Sequence, residues 1–302
     1  MLATIVLSVA RGFVMGAADI VPGVSGGTIA LIFGIYDRLI SSIRAGALAL
    51  GNLARVDLPD AKKWFSRVDW TFILSLGAGI LLAVALLATL LEKLLIDQPV
   101  LMSALFLGLV LGSIVITWQM IKKHSMSTVM IVAGVGVGVF VFLGLRNGTT
   151  EEAVAQVADP ALWAFFGAGA IAICAMILPG ISGSFLLVLM GMYGPVLAAV
   201  TSRDFASLGV FLVGAVIGLG LFSQILYKAL TTHHDAVLAA LIGLMAGSMR
   251  VLWPWPLGVD STALGAPDSY IAGSIIVAVL AFVVVIVVAR FAQRLEVLDT
   301  SA

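Results

Sequence analysis

Apolar residues in this chain fall into long uninterrupted runs, and polar residues are largely confined to the connections between them. Six of the runs are close to the roughly 20 residues that an α-helix needs to cross a bilayer. They cover residues 70–91, 99–119, 128–145, 205–227, 236–252 and 270–288. The pattern therefore predicts six transmembrane helices.

Four further apolar runs are shorter, and they form two pairs. Residues 2–18 and 29–50 make the first pair, and residues 161–178 and 184–200 make the second. Each pair is interrupted by a loop rich in Pro, Gly and Ser, with the sequences PGVSGGT at 22–28 and PGISGS at 179–184. Pro cannot continue the preceding helix but fits the first turn of a new one. Each pair is therefore predicted to form a hairpin, over residues 2–50 and 161–200, that is re-entrant or made of broken helices.

The two loops are copies of one another. Adding 157 to a residue number carries Pro22 to Pro179, and the internal repeat continues beyond the loops with a shift of 135, which carries Gly79 to Gly214. Paired Gly- and Pro-interrupted segments at corresponding positions of two halves are the sequence feature that best indicates a transporter's binding site.

The repeat divides the chain into a first half, residues 1–146, and a second half, residues 147–302. Each half holds one hairpin and three spans, and an odd number of crossings gives the two halves opposite orientations. The predicted fold class is thus an all-α polytopic membrane protein with an inverted-topology repeat, in which each half is a re-entrant or broken-helix hairpin plus three transmembrane helices.

Composition agrees with a membrane environment. The chain is 62% hydrophobic and 11% charged, its mean hydropathy is +1.19, and its formal net charge is zero. A soluble protein carries about a quarter charged residues, and a neutral chain suggests no nucleic-acid partner. The single Cys174 excludes an internal disulfide framework. Arg11 follows the first apolar run instead of preceding it, which argues against a cleaved signal peptide.

The basic residues predict the orientation in the membrane. If the N-terminus is cytoplasmic, the connection 37–69 with its six Arg and Lys residues also lies inside. The basic connection residues left outside are Lys93, Arg146, Arg203 and Arg250. Both termini are therefore predicted to be cytoplasmic, with the first hairpin entering from the cytoplasm and the second from the opposite side.

The two loops are candidate anion-binding sites. A helix that restarts inside the membrane exposes backbone N–H groups and the positive end of its dipole, which favour an anion. Such a break is tolerated only where it lines a cavity or is buried in protein. The predicted substrate-binding residues of the loops are Pro22, Gly23, Ser25, Gly26, Gly27 and Thr28 in the first, and Pro179, Gly180, Ser182, Gly183 and Ser184 in the second.

Three charged residues near the first loop complete the candidate site. Asp19 is costly at membrane depth and is therefore a functional candidate, with a helix cap or a residue in a wet vestibule as the alternative. Arg11 suits bidentate phosphate binding, with a snorkelling interface residue as the alternative. Arg38 is a further candidate, although its position favours an ordinary charge at the cytoplasmic edge. Asp19 is also the candidate for proton coupling, because it is the carboxylate that the sequence places beside a loop tip.

Residues 23–27, with the sequence GVSGG, match the G-x-S-x-G pattern of serine hydrolases. That pattern needs a strand-turn-helix setting and a histidine partner, whereas the surroundings here are helical and apolar. His124, His233 and His234 fall in predicted short connections, with no third ligand that would make a metal site. The sequence therefore predicts no catalytic residue, no metal and no cofactor.

These motifs resemble the polyprenyl-phosphate transporter family of bacteria and archaea. The resemblance is carried by Arg11-Gly12, Gly16, Asp19, the first loop, Gly34-Ile35-Tyr36 and the second-loop residues Pro179-Gly180-Ile181-Ser182-Gly183. It implies a flippase, not an enzyme, that returns undecaprenyl phosphate, the lipid carrier of cell-envelope synthesis, to the cytoplasmic leaflet of the bacterial cytoplasmic membrane. The partners it implies are a polyprenyl-phosphate lipid and the membrane, and it places the functional residues on the two loops, with Arg11 and Asp19 beside the first.

The second loop departs from the first at two positions. Ser184 replaces the second glycine of the pair, and Met176 stands where Asp19 stands, so the acidic group is not duplicated. Two other functions stay open. A small-anion channel or exchanger would also use Ser- and Gly-rich helix N-termini, and an intramembrane lipid-phosphate hydrolase is the third class. The residues themselves indicate an anion at mid-membrane between inverted halves, and the resemblance adds the lipid.

Overall fold

The structure is a computed structural model that describes residues 2–19, 25–145, 157–179, 182–255 and 264–300. Every regular element in these ranges is a helix, which confirms the predicted all-α architecture. In chain order the helices are α1 (Leu2–Asp19), α2 (Gly26–Ile32), α3 (Tyr36–Ala54), α4 (Leu58–Phe65), α5 (Trp70–Asp97), α6 (Pro99–Met120), α7 (Met126–Gly144), α8 (Leu162–Ile177), α9 (Gly183–Leu189), α10 (Tyr193–Ser202), α11 (Phe205–Thr232), α12 (His234–Ser248) and α13 (Ile271–Thr300).

Five of the described helices, α5, α6, α7, α11 and α13, are long and apolar enough to cross a membrane. They correspond to five of the six predicted spans. The sixth predicted span, 236–252, corresponds to α12, which is apolar but has 15 residues and ends at Ser248, where a turn begins. The protein is thus a polytopic helical membrane protein.

The second arm of each hairpin is divided into two helices. Gly34, between α2 and α3, has a φ of 68°, and Gly191, between α9 and α10, has a φ of 65°. This left-handed conformation ends a helix and is easy only for glycine. The arms expected to run without interruption over 29–50 and 184–200 are therefore each broken after a short helix of seven residues, α2 or α9.

The polar stretch 37–69, expected as a connection, is largely helical. α3 continues to Ala54, and α4 follows with the Asp57 side chain accepting a hydrogen bond from the backbone N–H of Asp60. α4 packs on α3, where the guanidinium of Arg44 faces the ring of Trp64. The apolar positions Ile40, Ala45 and Ala49 are buried, so this stretch has a buried face that its many charges conceal in the sequence.

Helix packing in the two halves follows corresponding contacts. α1 packs along α5, and α8 packs along α11. Gly12 lies against the carbonyl of Leu76 in the first pair, and Gly169 lies against the carbonyl of Phe211 in the second. A Cβ at either glycine would collide with that carbonyl, so each glycine allows two helices to approach closely.

Two further helices of the first half each pack against a helix of the second half. α6 packs on α13 and α12 packs on α7, through Gly108 and Gly112 on α6 and Gly243 and Gly247 on α12. Both Gly-x-x-x-Gly pairs therefore serve helix packing, as their spacing predicts. At the centre lies α2, of which all seven residues are buried, surrounded by an apolar core to which α3, α6 and α12 contribute. The structure thus places α2, which follows the first Pro-Gly loop in the sequence, at the centre of the protein.

Candidate functional site

A hydrogen bond joins the end of α1 to the beginning of α2. Asp19 is the last residue of α1, and its Oδ1 accepts a hydrogen bond from the backbone N–H of Gly26 at 2.6 Å. A Cβ at Gly26 would lie 2.6 Å from the other carboxylate oxygen of Asp19, so a glycine is needed for this contact. The Asp19 carboxyl therefore lies at the positive end of α2, where an anion is favoured.

Two side chains of the first hairpin bind the end of α8 in the other half. The Ser25 hydroxyl donates to the carbonyl of Met176 at 2.9 Å, and the Tyr36 hydroxyl donates to the carbonyl of Ile177 at 3.1 Å. Both side chains are buried, with 1% and 2% of their surface exposed. Carbonyls at a helix C-terminus lack intrahelical partners, and these hydroxyls supply hydrogen-bond donors from the first hairpin to the end of α8.

A cavity of about 230 Å³ lies where the two hairpins meet. Its polar wall consists of Asp19 from the first half and residues 182–184 from the second, where the hydroxyls of Ser182 and Ser184 lie 2.8 Å apart. Its apolar wall is formed by Gly169, Ala172, Ile173, Met176, Leu187, Phe211 and Ala215. The structure thus brings together Asp19 and the second predicted loop, which are more than 160 positions apart in the sequence. We call this cavity the junction cavity.

The two halves contribute unlike side chains at equivalent positions of this site. Asp19 packs on Gly26, and at the positions 157 residues later Met176 packs on Gly183. Gly27 lies directly against the carbonyl of Ile177, whereas its counterpart Ser184 is exposed and lines the cavity. The departure from the first loop at position 184 therefore supplies the cavity with a hydroxyl, and the departure at 176 supplies an apolar wall.

The first N–H groups of α2 already have partners within the protein. Gly26 donates to Asp19, Gly27 donates to the Ser25 hydroxyl at 3.1 Å, and Thr28 donates to the Ser25 carbonyl at 2.9 Å. A phosphate at these groups would have to displace one of these partners. Asp19 is the partner that lines the cavity, so it is the group with which an incoming anion would compete.

The candidate arginines lie outside the lining of the junction cavity. Arg11 is buried in α1, about 12 Å before Asp19 along the helix axis. Arg38 donates from Nε to Asp69 at 2.9 Å, and its Nη2 contacts the same carboxylate oxygen. The Arg38 guanidinium also lies 4.3 Å from the centroid of the Phe72 ring. Burial by itself raises the pKa of Asp69, but the hydrogen bonds from Arg38 and from the N–H of Phe72 outweigh it and hold the pKa below its usual value.

The other predicted loop residues are placed as follows. Thr28 and Pro179 are buried and do not line the junction cavity. Pro22, Gly23 and Gly180 lie outside the described residues.

The described histidines make contacts away from Ser25. His124 contacts the carbonyl of Trp118, His233 contacts the Thr232 hydroxyl, and His234 contacts Asp235. Within the described ranges, no group of three or more His, Cys, Asp or Glu side chains is placed to hold a metal ion. The Ser25 hydroxyl caps α2 and binds α8, which is a structural arrangement and not that of an activated nucleophile.

Sequence reasoning missed the part played by Tyr36. Its hydroxyl joins the first hairpin to α8, and its position after a helix-breaking glycine is shared by Tyr193. The match of Tyr36 to Tyr193 was the available signal, but a repeated tyrosine does not by itself indicate which carbonyl it binds.

Comparison with known proteins decides the family. A sequence profile of the undecaprenyl phosphate translocase-like family matches residues 15–264. The chain belongs to this family.

A polyprenyl-phosphate transporter of Vibrio cholerae serotype O1 is 41% identical over 254 residues, which cover 81% of this chain and 76% of that protein. A polyprenyl-phosphate transporter of Staphylococcus aureus is 31% identical over 306 residues, which cover 96% of this chain and 98% of that protein. No solved structure matches the protein significantly. The range matched by the undecaprenyl phosphate translocase-like family includes both loops and every residue that lines the junction cavity.

Proposed function

We propose that this protein is a transporter that moves polyprenyl phosphate across the membrane. The observation that carries the proposal is the junction cavity, in which Asp19 of the first half faces the Ser182 and Ser184 hydroxyls of the second. The name polyprenyl-phosphate transporter, which the two relatives bear, supports this substrate.

The lining of the junction cavity suits an amphiphilic ligand. Hydroxyl groups and helix N-termini at one side bind a phosphate, and the side chains of Ile173, Leu187 and Phe211 at the other side accept the beginning of a prenyl chain. The cavity accommodates the headgroup and not the whole lipid, so most of the chain remains in the bilayer. This geometry suits a lipid transporter. The prenyl chain is stable in the hydrocarbon of the bilayer, whereas the charged phosphate is costly to place there.

Asp19 gives the site a means of coupling phosphate to protons. A phosphate and the Asp19 carboxylate compete for the N–H of Gly26, and two anions at one site repel each other. Protonation of Asp19 removes the repulsion and weakens its hold on Gly26. In this proposal Asp19 takes up a proton when the phosphate enters, and Arg11, buried on the same helix, is the cation that balances the remaining charge.

Proton coupling would also offset the electrical work of transport. Returning the lipid to the cytoplasmic leaflet moves one to two negative charges toward an inside-negative potential, which costs about 2.3 kcal/mol per charge per 100 mV. A proton carried inward with each lipid offsets one of these charges. Arg38 has no part in this step, because Asp69 engages its guanidinium.

Alternating access follows if the two halves, 1–146 and 147–302, form an inverted repeat. The corresponding contacts of α1 with α5 and of α8 with α11 support this arrangement, as do the equal lengths of α5 and α11, which have 28 residues each. The proposed location is the bacterial cytoplasmic membrane, with both termini in the cytoplasm. Each hairpin then approaches the junction cavity from its own side of the membrane.

Purified protein in liposomes separates this function from its rivals. Labelled polyprenyl phosphate is placed in one leaflet, and its appearance in the other is followed with a leaflet-specific reagent, while chloride and phosphate fluxes are measured in parallel. The proposal expects lipid movement with intact phosphate and no chloride or phosphate flux beyond that of empty liposomes. Ion flux without lipid movement would establish the channel or exchanger, and released inorganic phosphate that is lost in Ser25→Ala would establish the hydrolase.

A further inference from the structure

The two hairpins repeat one another in local structure around a tyrosine. Tyr36 begins α3 and Tyr193 begins α10, and each lies two residues after a glycine with positive φ, Gly34 or Gly191. The N–H groups of these glycines donate to the carbonyl three residues earlier, at 3.0 Å and 2.9 Å. The N–H groups of the residues that follow them donate to the carbonyl five residues earlier, again at 3.0 Å and 2.9 Å. Both hairpins therefore present a tyrosine from the same type of helix end, the Schellman motif.

The long-range contacts of the two tyrosine hydroxyls differ. The Tyr36 hydroxyl donates to the carbonyl of Ile177 at the end of α8, in the other half. Among the residues that the structure describes, the Tyr193 hydroxyl has no hydrogen-bond partner. The Tyr193 side chain is partly buried and packs against an apolar cluster that includes Leu187 of the junction-cavity lining. One of two equivalent tyrosines is thus bonded to the opposite half, and the other lies near the junction cavity without such a bond.

The helix end that Tyr36 binds also has an equivalent. The Ser25 hydroxyl donates to the carbonyl of Met176 at the end of α8, and the shift of 157 relates Met176 to Asp19, the last residue of α1. Asp19 and Met176 both line the junction cavity, so α1 and α8 end at the same place. The last carbonyls of a helix lack intrahelical partners and can accept hydrogen bonds from other elements. The end of α1 is therefore to Tyr193 what the end of α8 is to Tyr36.

We infer that Tyr193 is a positioning residue for transport, whose hydroxyl binds the carbonyl end of α1 in a second conformation of the protein. In that conformation the Tyr36 hydroxyl has released α8, so the two tyrosines have exchanged roles. This inference rests on the proposed function, because it requires two halves that alternate as an inverted repeat. One hydrogen bond replaces an equivalent one, so the exchange keeps the two conformations close in free energy. A transporter that populates both conformations needs this balance.

Thiol labelling tests the exchange on the full chain, in sealed membrane vesicles of known orientation. Ala215→Cys introduces a thiol at a partly exposed position of the junction-cavity wall, after Cys174→Ser has removed the native one. A membrane-impermeant thiol reagent is applied to either side, and the ratio of the two labelling rates reports the side to which the cavity opens. Tyr36→Phe is expected to move this ratio about two- to tenfold in one direction, and Tyr193→Phe by a similar factor in the other, because each removes one neutral hydrogen bond.

Three further variants complete the set. Ser25→Ala removes the other hydroxyl that binds α8, so it is expected to move the ratio in the same direction as Tyr36→Phe and replaces that variant if it does not fold. Tyr270→Phe makes the same substitution at a tyrosine that is 64% exposed, and it is expected to keep the parent ratio. The double variant Tyr36→Phe/Tyr193→Phe is expected to return close to the parent ratio, because each conformation then lacks one hydrogen bond.

The outcomes separate the inference from the proposed function. A Tyr193→Phe ratio that equals the parent ratio, or that moves in the same direction as those of Tyr36→Phe and Ser25→Ala, overturns the exchange. Labelling needs no lipid, so lipid movement by wild type in the liposome assay would then leave the transporter proposal standing. Opposite shifts in a protein that moves no polyprenyl phosphate would establish the exchange and contradict the proposed function.

Discussion

The carboxylate of Asp19 and the backbone N–H of Gly26 form a hydrogen bond of 2.6 Å across the break between α1 and α2. The bond places a negative side chain where a broken helix offers its N-terminus to an anion. In the proposed function, the phosphate and Asp19 compete for this common partner, and the behaviour of the site depends on which of them occupies it.

Replacing Gly26 by alanine is expected to reduce lipid binding at least tenfold. The new Cβ would lie 2.6 Å from an Asp19 oxygen, so the carboxylate must leave its position and the cavity loses its arrangement. Binding of labelled polyprenyl phosphate to the purified protein measures the effect. Gly167→Ala on α8 is the control, because a Cβ there meets nothing within 4 Å, and it is expected to bind like wild type. Equal binding in both variants would place the phosphate elsewhere.

Replacing Asp19 by asparagine is expected to remove the dependence of transport on a pH gradient. An asparagine oxygen still accepts the hydrogen bond from Gly26, so the helix junction stays formed while the titrating charge is lost. Lipid uptake into liposomes with an imposed gradient is the measurement. If wild type ignores the gradient, or if Asp19→Asn keeps the same response, Asp19 is not the coupling group.

Tyr36→Phe is expected to destabilise the protein by about 1–3 kcal/mol, the usual cost of leaving a buried carbonyl without its donor. The lost bond is the one from the Tyr36 hydroxyl to the carbonyl of Ile177, which joins the first hairpin to α8. Unfolding in detergent measures the change. Tyr270→Phe is a matched control, since 64% of the Tyr270 surface is exposed, and a loss of stability as large in this control would show that the Tyr36 contact is unimportant.

The sequence predicted the all-helical membrane fold, because the length of apolar runs reports directly on helices in a bilayer. It did not predict that α3 packs along α11 or that α4 is a helix, because charges such as Arg44, Lys62 and Lys63 hide the buried face of this stretch. The sequence also could not assign the hydrogen-bond and ion-pair partners of the charged residues. Whether Asp19 binds Gly26 or Arg11 depends on the path of the chain between α1 and α2, and the engagement of Arg38 by Asp69 depends on tertiary packing.

The stability of the protein is expected to fall as the pH drops below about 4, in part through Asp235. Hydrogen bonds to its carboxylate, from the N–H of Lys122 first and also from His234 and the N–H of Lys123, lower its pKa. A lowered folded-state pKa contributes stability that is present above the unfolded value, about 3.9, and is lost as the pH falls through the folded value. Unfolding midpoints between pH 6 and pH 3 should therefore decrease less in Asp235→Asn than in wild type. Equal slopes would show that this carboxylate does not contribute.

In the proposed mechanism, one cavity shared by the two halves holds the phosphate during transport. Ser184→Leu tests it most directly, because it fills the junction cavity at a residue that is exposed and lines it. Ser202→Leu, at the exposed end of α10, is the control. In the leaflet-specific liposome assay, we predict that Ser184→Leu moves polyprenyl phosphate at least tenfold more slowly than wild type and that Ser202→Leu moves it at the wild-type rate. Wild-type lipid movement in a correctly folded Ser184→Leu protein would contradict the proposed mechanism.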